Sequence, residues 1–136
     1  MNPLADARCA LRTATLAGAQ ISAEGAFPAE LAVFTGHFPG HPLVPGVAVI
    51  ALIQAACEQV FSTPIRIAAI ERCKWKTPTV PGERLSLTIT LSDTDRGAET
   101  NQPRRIKATI TNATGVACEA HLVIVVNGPD YRAAGR

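Results

Sequence analysis

The chain has 136 residues, enough for one domain with a substantial buried core. Hydrophobic residues make up 47% and charged residues 18%, a balance that excludes an intrinsically disordered chain. The formal net charge of +2 is too weakly basic to point to nucleic acid, although it is compatible with an acidic protein partner.

Residues 1–10 carry no strong pattern and are expected to fray. From Arg12 to Phe34 the sequence is Ala-rich with scattered Thr, Ile, Val and Phe, interrupted by Gly25 and Pro28; it accommodates one or two strands. The stretch Gly36 to Gly46, GHFPGHPLVPG, holds three glycines, three prolines and two histidines. No helix or long strand tolerates that spacing, so an ordered, constrained loop is expected. Directly after it, VAVIALIQAACEQV (Val47–Val60) has only Gln54, Glu58 and Gln59 as polar residues. Its length and four alanines favour a helix that is apolar nearly all round and therefore buried.

The remainder reads as strand. Ile67 to Lys76 places Arg72, Lys74 and Lys76 on one face and Cys73 and Trp75 on the other. In RLSLTITLS, Leu85, Leu87, Ile89 and Leu91 alternate with polar residues, a period of two. The polar stretch Asp93 to Pro103 reads as a hairpin connection. RIKATITN then repeats the alternation through Ile106, Ala108 and Ile110. A turn at Asn112 to Gly115 leads into a last strand, Val116 to Val126, with Cys118, Ala120, Leu122, Ile124 and Val126 on one side. The tail, 128–136, is expected to fray. One buried helix followed by four antiparallel strands makes a single α+β domain over 1–136, with the sheet curled around the helix.

Cys9, Cys57, Cys73 and Cys118 form no C-x-x-C pair, and no histidine stands at zinc-finger spacing, so reduced, buried thiols are expected. The start, MNPLADARCALRT, lacks a basic residue cluster ahead of an apolar run, so no secretory signal is read there. The apolar run Val47 to Ala56 is too short for a bilayer. A soluble, cytoplasmic protein without membrane insertion is expected. There is no G-x-G-x-x-G, no G-x-x-x-x-G-K-[ST] and no H-E-x-x-H, hence no signature of a nucleotide cofactor or a metal.

The loop GHFPGHPLVPG followed at once by an apolar helix resembles the signature of the 3-hydroxyacyl-ACP dehydratases of fatty-acid synthesis, hotdog-fold proteins with members in aryl polyene pathways. Ile70 to Leu85, IERCKWKTPTVPGERL, is similar to the segment that follows the helix in that family, and Cys118-Glu119-Ala120 resembles a triplet of its last strand. The three blocks stand in the family's order and extend from Thr35 to Val126.

The resemblance implies a hotdog fold, in which an antiparallel sheet wraps one long central helix, and a dehydration that needs no cofactor. It implies that His37 is the catalytic base and that backbone amides around Gly46 and Val47 hold the substrate carbonyl. The chemistry of the residues agrees. Histidine has a reference pKa of about 6.5 and can take a proton at neutral pH. The first amides of a helix lack intrahelical partners and carry the positive end of its dipole. Gly46 has no side chain to obstruct an approaching carbonyl. His41 reads as a loop-stabilising or solvated residue, and His121 as a surface residue.

One position departs from the family. Fourteen residues after the catalytic histidine the family carries an Asp or Glu on the helix, and here that position is Ala51. Gln54 and Glu58 lie on the same helix face, about 4.5 and 10.5 Å further along the axis. They are the candidate secondary polar groups. Gln54 can orient a water, and Glu58 can donate a proton if the substrate channel follows the helix. Two alternatives therefore stand beside the dehydratase: a hotdog thioesterase, and a non-catalytic subunit that binds acyl chains or stabilises a partner. The implied substrates are acyl carrier protein or CoA thioesters. The row Arg72, Lys74 and Lys76, joined by Arg84, Arg104, Arg105 and Lys107, is either a solvated sheet face or a docking surface for acyl carrier protein. The family pairs its sheet edges, so a homodimer or a higher oligomer is expected.

Overall fold

The computed structural model describes residues 3–28, 44–92 and 103–126. In chain order these form α1 (Pro3–Ala10), β1 (Leu11–Ala17), β2 (Gln20–Gly25), α2 (Gly46–Phe61), β3 (Ile65–Trp75), β4 (Leu85–Leu91), β5 (Pro103–Asn112) and β6 (Gly115–Val126). The strands make one antiparallel sheet in the order β1-β2-β4-β5-β6-β3. Among the described residues no helix is long and apolar enough to cross a membrane.

The two-residue alternation becomes the inside and outside of this sheet. In β4 Leu85, Leu87, Ile89 and Leu91 are buried, and Ile106, Ala108 and Ile110 of β5 continue the same face. The register aligns Ile89 with Ala108, Ala108 with Ala120 and Ala120 with Cys73, so one inner row crosses four strands. Against that face lies α2, buried from Ala48 to Ile53 and again from Ala55 to Cys57. A helix with so little polar surface is stable in water only inside such a wrapper. The sheet supplies it, and the whole is an α+β hotdog.

Three details differ from the sequence expectation. Pro3–Ala10 is a helix rather than a loose end: Ala7 and Ala10 are fully buried and α1 packs on α2, two small side chains permitting close approach. Arg104 does not join the outer basic face. It shares the inward phase of Ile106, is 5% exposed, and lies 5.4 Å from the centre of the Phe61 ring, where aromatic contact compensates part of its lost hydration. Finally, β3 carries two register shifts, at Ile67/Ala69 and Ile70/Arg72, as edge strands often do. Beyond the second shift the expected faces hold: Arg72 and Lys74 pair with His121 and Glu119, and Cys73 and Trp75 with Ala120 and Cys118.

The β5–β6 turn shows how the chain reverses. Asn112 Oδ1 accepts from the backbone amide and the hydroxyl of Thr114, and Gly115 takes φ 128°, a conformation most side chains avoid.

Candidate functional site

The amino end of α2 opens on a cleft of about 360 Å³, walled by Val44, Val49, Trp75, Thr77, Thr79 and Cys118. Its shape is set by backbone ties. The Val44 amide donates to the Thr79 carbonyl at 2.8 Å, which fixes the chain entering the helix to the segment after β3. The amides of Lys76 and Thr77 both donate to the Ala117 carbonyl, at 2.8 and 3.3 Å, and hold that segment on β6. Thr79 is buried, and the Thr77 hydroxyl accepts from the Asn112 side-chain amide at 3.4 Å.

At the helix start Pro45 is extended, with φ −63° and ψ 150°, and its carbonyl accepts from the amides of Ala48 and Val49 at 3.0 and 3.2 Å. Among the described residues no side chain caps this end. The amides of Gly46 and Val47 find no acceptor among the described residues, and they stand at the positive end of the helix dipole. The bare Cα of Gly46 has a further use. A Cβ there would lie 2.9 Å from Cζ2 of Trp75 and 3.2 Å from its Cη2. The missing side chain is thus filled by an indole, which brings an aromatic wall beside the two amides. The sequence reading assigned that space to a substrate carbonyl alone.

The expected site residues divide. Gly46 lines the cleft, and Val47 follows it with an exposed side chain. His37 and His41 lie outside the described residues. Ala51 is 5% exposed and packed in the core. Gln54 and Glu58 do not line the cleft; they tie α2 to its neighbours. Gln54 Nε2 donates to the Ile65 carbonyl at 2.6 Å, at the start of β3. Glu58 accepts from Arg8 of α1 at 2.9 and 3.2 Å through Nη2 and at 3.0 Å through Nε, and from the Ile65 amide at 3.4 Å. A carboxylate held by a guanidinium at the far end of the helix is a fastener between elements.

Trp75, Thr77, Thr79 and Cys118 were not singled out from the sequence as site residues, although the block containing the first three had been matched to the family. Cys118 is buried, and burial pushes its thiol up to about 12, with the neighbouring Cys73 and Glu119 adding to the effect. It is a neutral wall of the cleft at physiological pH.

The profile of the ApeI-like family, described as ApeI dehydratase, matches residues 13–110. The chain belongs to the ApeI-like dehydratases. These are lyases, and relatives of known name agree. A 3-hydroxyacyl-[acyl-carrier-protein] dehydratase FabZ of Chloroflexus aggregans is 35% identical over 103 residues, covering 71% of this chain and 68% of that protein. A FabZ of Haemophilus influenzae is 34% identical over 105 residues, 66% of this chain and 63% of that protein; the chain thus spans slightly under two thirds of the latter's length. In structure, the dehydratase heterocomplex ApeI:P from Xenorhabdus doucetiae superposes with a TM-score of 0.65 at 22% identity, covering 80% of this chain and 89% of that one. The hotdog fold expected from the sequence is therefore the fold of an ApeI-like dehydratase, with the start of α2 at its cleft.

Proposed function

We propose that this ApeI-like protein dehydrates a 3-hydroxyacyl thioester, carried on acyl carrier protein or CoA, to the trans-2-enoyl thioester. The observation that carries the reading is the pair of amides at Gly46 and Val47, without an acceptor among the described residues, at a largely apolar cleft in a dehydratase fold. Two donors at a helix start stabilise the enolate-like oxygen that develops when the proton next to the carbonyl is removed. His37 is the base for that proton.

The second half of the reaction breaks the C3–O bond and needs a proton on the departing hydroxyl. Ala51 provides none, and Glu58 is engaged with Arg8. Among the described lining residues no carboxylate stands ready. In this reading His37 acts twice: the imidazolium formed by taking the C2 proton returns it to the hydroxyl, which leaves as water. Atoms and charge balance without a second acid or a cofactor.

Lys76 borders the cleft, with Lys74 and Arg72 further along β3, which suits an acidic carrier docking at the cleft mouth. The edge position of β3, with Ile70 54% and Trp75 52% exposed, suits pairing with a second copy in a homodimer.

Turnover of a 3-hydroxyacyl-ACP, with mass spectrometry of the carrier-bound product, tests the proposal. Loss of one water in the wild type, absent in His37→Ala, is the expected result. An intact wild-type substrate would instead favour the second reading, a non-catalytic acyl-binding or partner-stabilising subunit, for which buried Ala51 is the specific observation.

A further inference from the structure

Among the described residues that wall the cleft, Trp75, Lys76, Thr77, Thr79 and Cys118 carry side chains able to hydrogen-bond. Lys76 Nζ stands 3.8 Å from Glu119 Oε1. The Thr77 hydroxyl accepts from Asn112, and the Cys118 sulfur lies 3.9 Å from that of Cys73. The Trp75 indole is exposed. Thr79 differs from all of these. It is 5% exposed, its carbonyl accepts from the Val44 amide, and its hydroxyl has no partner among the described residues. Buried hydroxyls are nearly always hydrogen-bonded, because losing water without gaining a partner is costly. An uncommitted one in a cleft wall points to a ligand group that completes it. We propose that the Thr79 hydroxyl binds the C3 hydroxyl of the 3-hydroxyacyl group and thereby selects hydroxyacyl over saturated acyl thioesters. This deepens the dehydratase reading of the cleft and rests on it.

Its place suits that group. The Val44 amide is tied to the Thr79 carbonyl at 2.8 Å and stands two residues before Gly46, so Thr79 lies beside the start of α2. With the thioester carbonyl at the amides of Gly46 and Val47, the C3 hydroxyl is only two carbons further along the acyl chain. The rest of that chain is apolar, as are Val44, Val49 and Ala117 in the same wall. A threonine hydroxyl both donates and accepts, so it matches an alcohol in either sense. It is too weak an acid to give up its proton at neutral pH. Thr79 therefore holds the C3 oxygen, while the proton comes from His37.

Selectivity follows from what a poorer ligand leaves behind. A saturated acyl chain would seal the Thr79 hydroxyl away from water without a partner, whereas a 3-hydroxyacyl chain satisfies it. Thr79→Val keeps the shape of the wall and removes the group that has to be satisfied. Two effects of opposite sign follow. The empty protein becomes more stable, because a buried polar group without a partner is gone, and the preference for the hydroxyacyl ligand disappears. A hydroxyl bonded within the fold would behave differently: its loss would lower stability and leave the preference where it was.

The experiment titrates the full chain by calorimetry with 3-hydroxyoctanoyl and octanoyl thioesters, on CoA and on acyl carrier protein. His37→Ala is the background, so that no ligand is consumed, and the wild type is assayed beside it for enoyl product. The hydroxyacyl ligand should bind about tenfold more tightly, the factor of one neutral hydrogen bond. Thr79→Val in that background should erase the preference and raise the melting temperature, while Thr79→Ser, which keeps the hydroxyl, should retain the preference. A preference that survives in Thr79→Val would overturn the proposal, as would one lost equally in Thr79→Ser or a lower melting temperature in Thr79→Val. If enoyl product forms all the same, the dehydratase reading stands without Thr79. A preference that depends on Thr79, with no enoyl product from the wild type, would uphold the hydroxyl contact and sink the dehydratase reading. Binding of neither acyl group would overturn both.

Discussion

Gly46 and Trp75 meet so closely that a methyl group at position 46 would lie 2.9 Å from Cζ2 of the indole. The indole is 52% exposed and can swing outward, so Gly46→Ala should not wreck the core. Alanine also favours helix over glycine by up to about 1 kcal/mol, which offsets part of the crowding. The expected result is a stability change within about 1 kcal/mol, with a clear shift of Trp75 emission and a raised KM. Thermal melts and emission spectra check the first two, and steady-state kinetics the third. A large loss of stability with unchanged emission would mean that the indole cannot yield.

Much of this arrangement was legible beforehand, because the signals were strong and local. Alternation at Leu85 to Leu91 and the apolar run from Val47 gave the sheet face and the central helix within a residue or two of their observed ends. What stayed hidden depends on contacts between distant segments. Nothing in the residues around Gln54 or Glu58 announces Ile65 or Arg8 as their partners, and so both looked free for chemistry. The helix Pro3–Ala10 is short and weakly amphipathic, and its stability comes from packing on α2. Arg104 looked like one more surface cation until its phase with Ile106 turned it onto Phe61.

If His37 both takes and returns the proton, the pH profile of kcat/KM has one limb. Neutral imidazole is the active form, so the rate rises as pH passes its pKa, about 6.5 for an unperturbed histidine, and then levels off. A mechanism with a separate carboxylic acid would add a fall at higher pH. A bell-shaped profile would therefore point to a second titrating group.

Cys57 gives a pH dependence of stability that is independent of catalysis. Burial, assisted by the charge of Glu58, raises its thiol from 9.0 to about 12. The folded value lies above the unfolded one, so its stabilisation is complete below pH 9 and is lost as pH rises from 9 towards 12. The slope in that window is at most about 1.4 kcal/mol per pH unit. Denaturant titrations across the window should show a shallower decline in Cys57→Ala than in the wild type, whatever else titrates in both.

Gln54 is read here as a fastener, and its removal separates that role from chemistry. Gln54→Leu keeps the volume but leaves the Ile65 carbonyl, now bonded at 2.6 Å, without its donor. A loss of about 1–3 kcal/mol is expected, with kcat unchanged below the new melting temperature. Chemical denaturation and initial rates measure the two. A kcat that falls while stability holds would return Gln54 to the list of catalytic groups.

Ala51→Glu puts a carboxyl at the position where the family carries its acid. The site is 5% exposed, so the larger side chain must displace neighbours, at about 1–3 kcal/mol. Desolvation raises the carboxyl's pKa above its unfolded value of about 4.3. A raised folded pKa means that the variant is most stable at low pH and loses stability as pH climbs through the shifted value. The same shift keeps the acid protonated nearer neutrality, which is the form that donates to a leaving hydroxyl. The variant should therefore melt earlier, most markedly at high pH, yet dehydrate faster, with a falling limb added to its rate profile. Melting curves over pH and product mass spectrometry decide it. A folded variant that still yields no enoyl product would favour the acyl-binding reading of the wild-type chain.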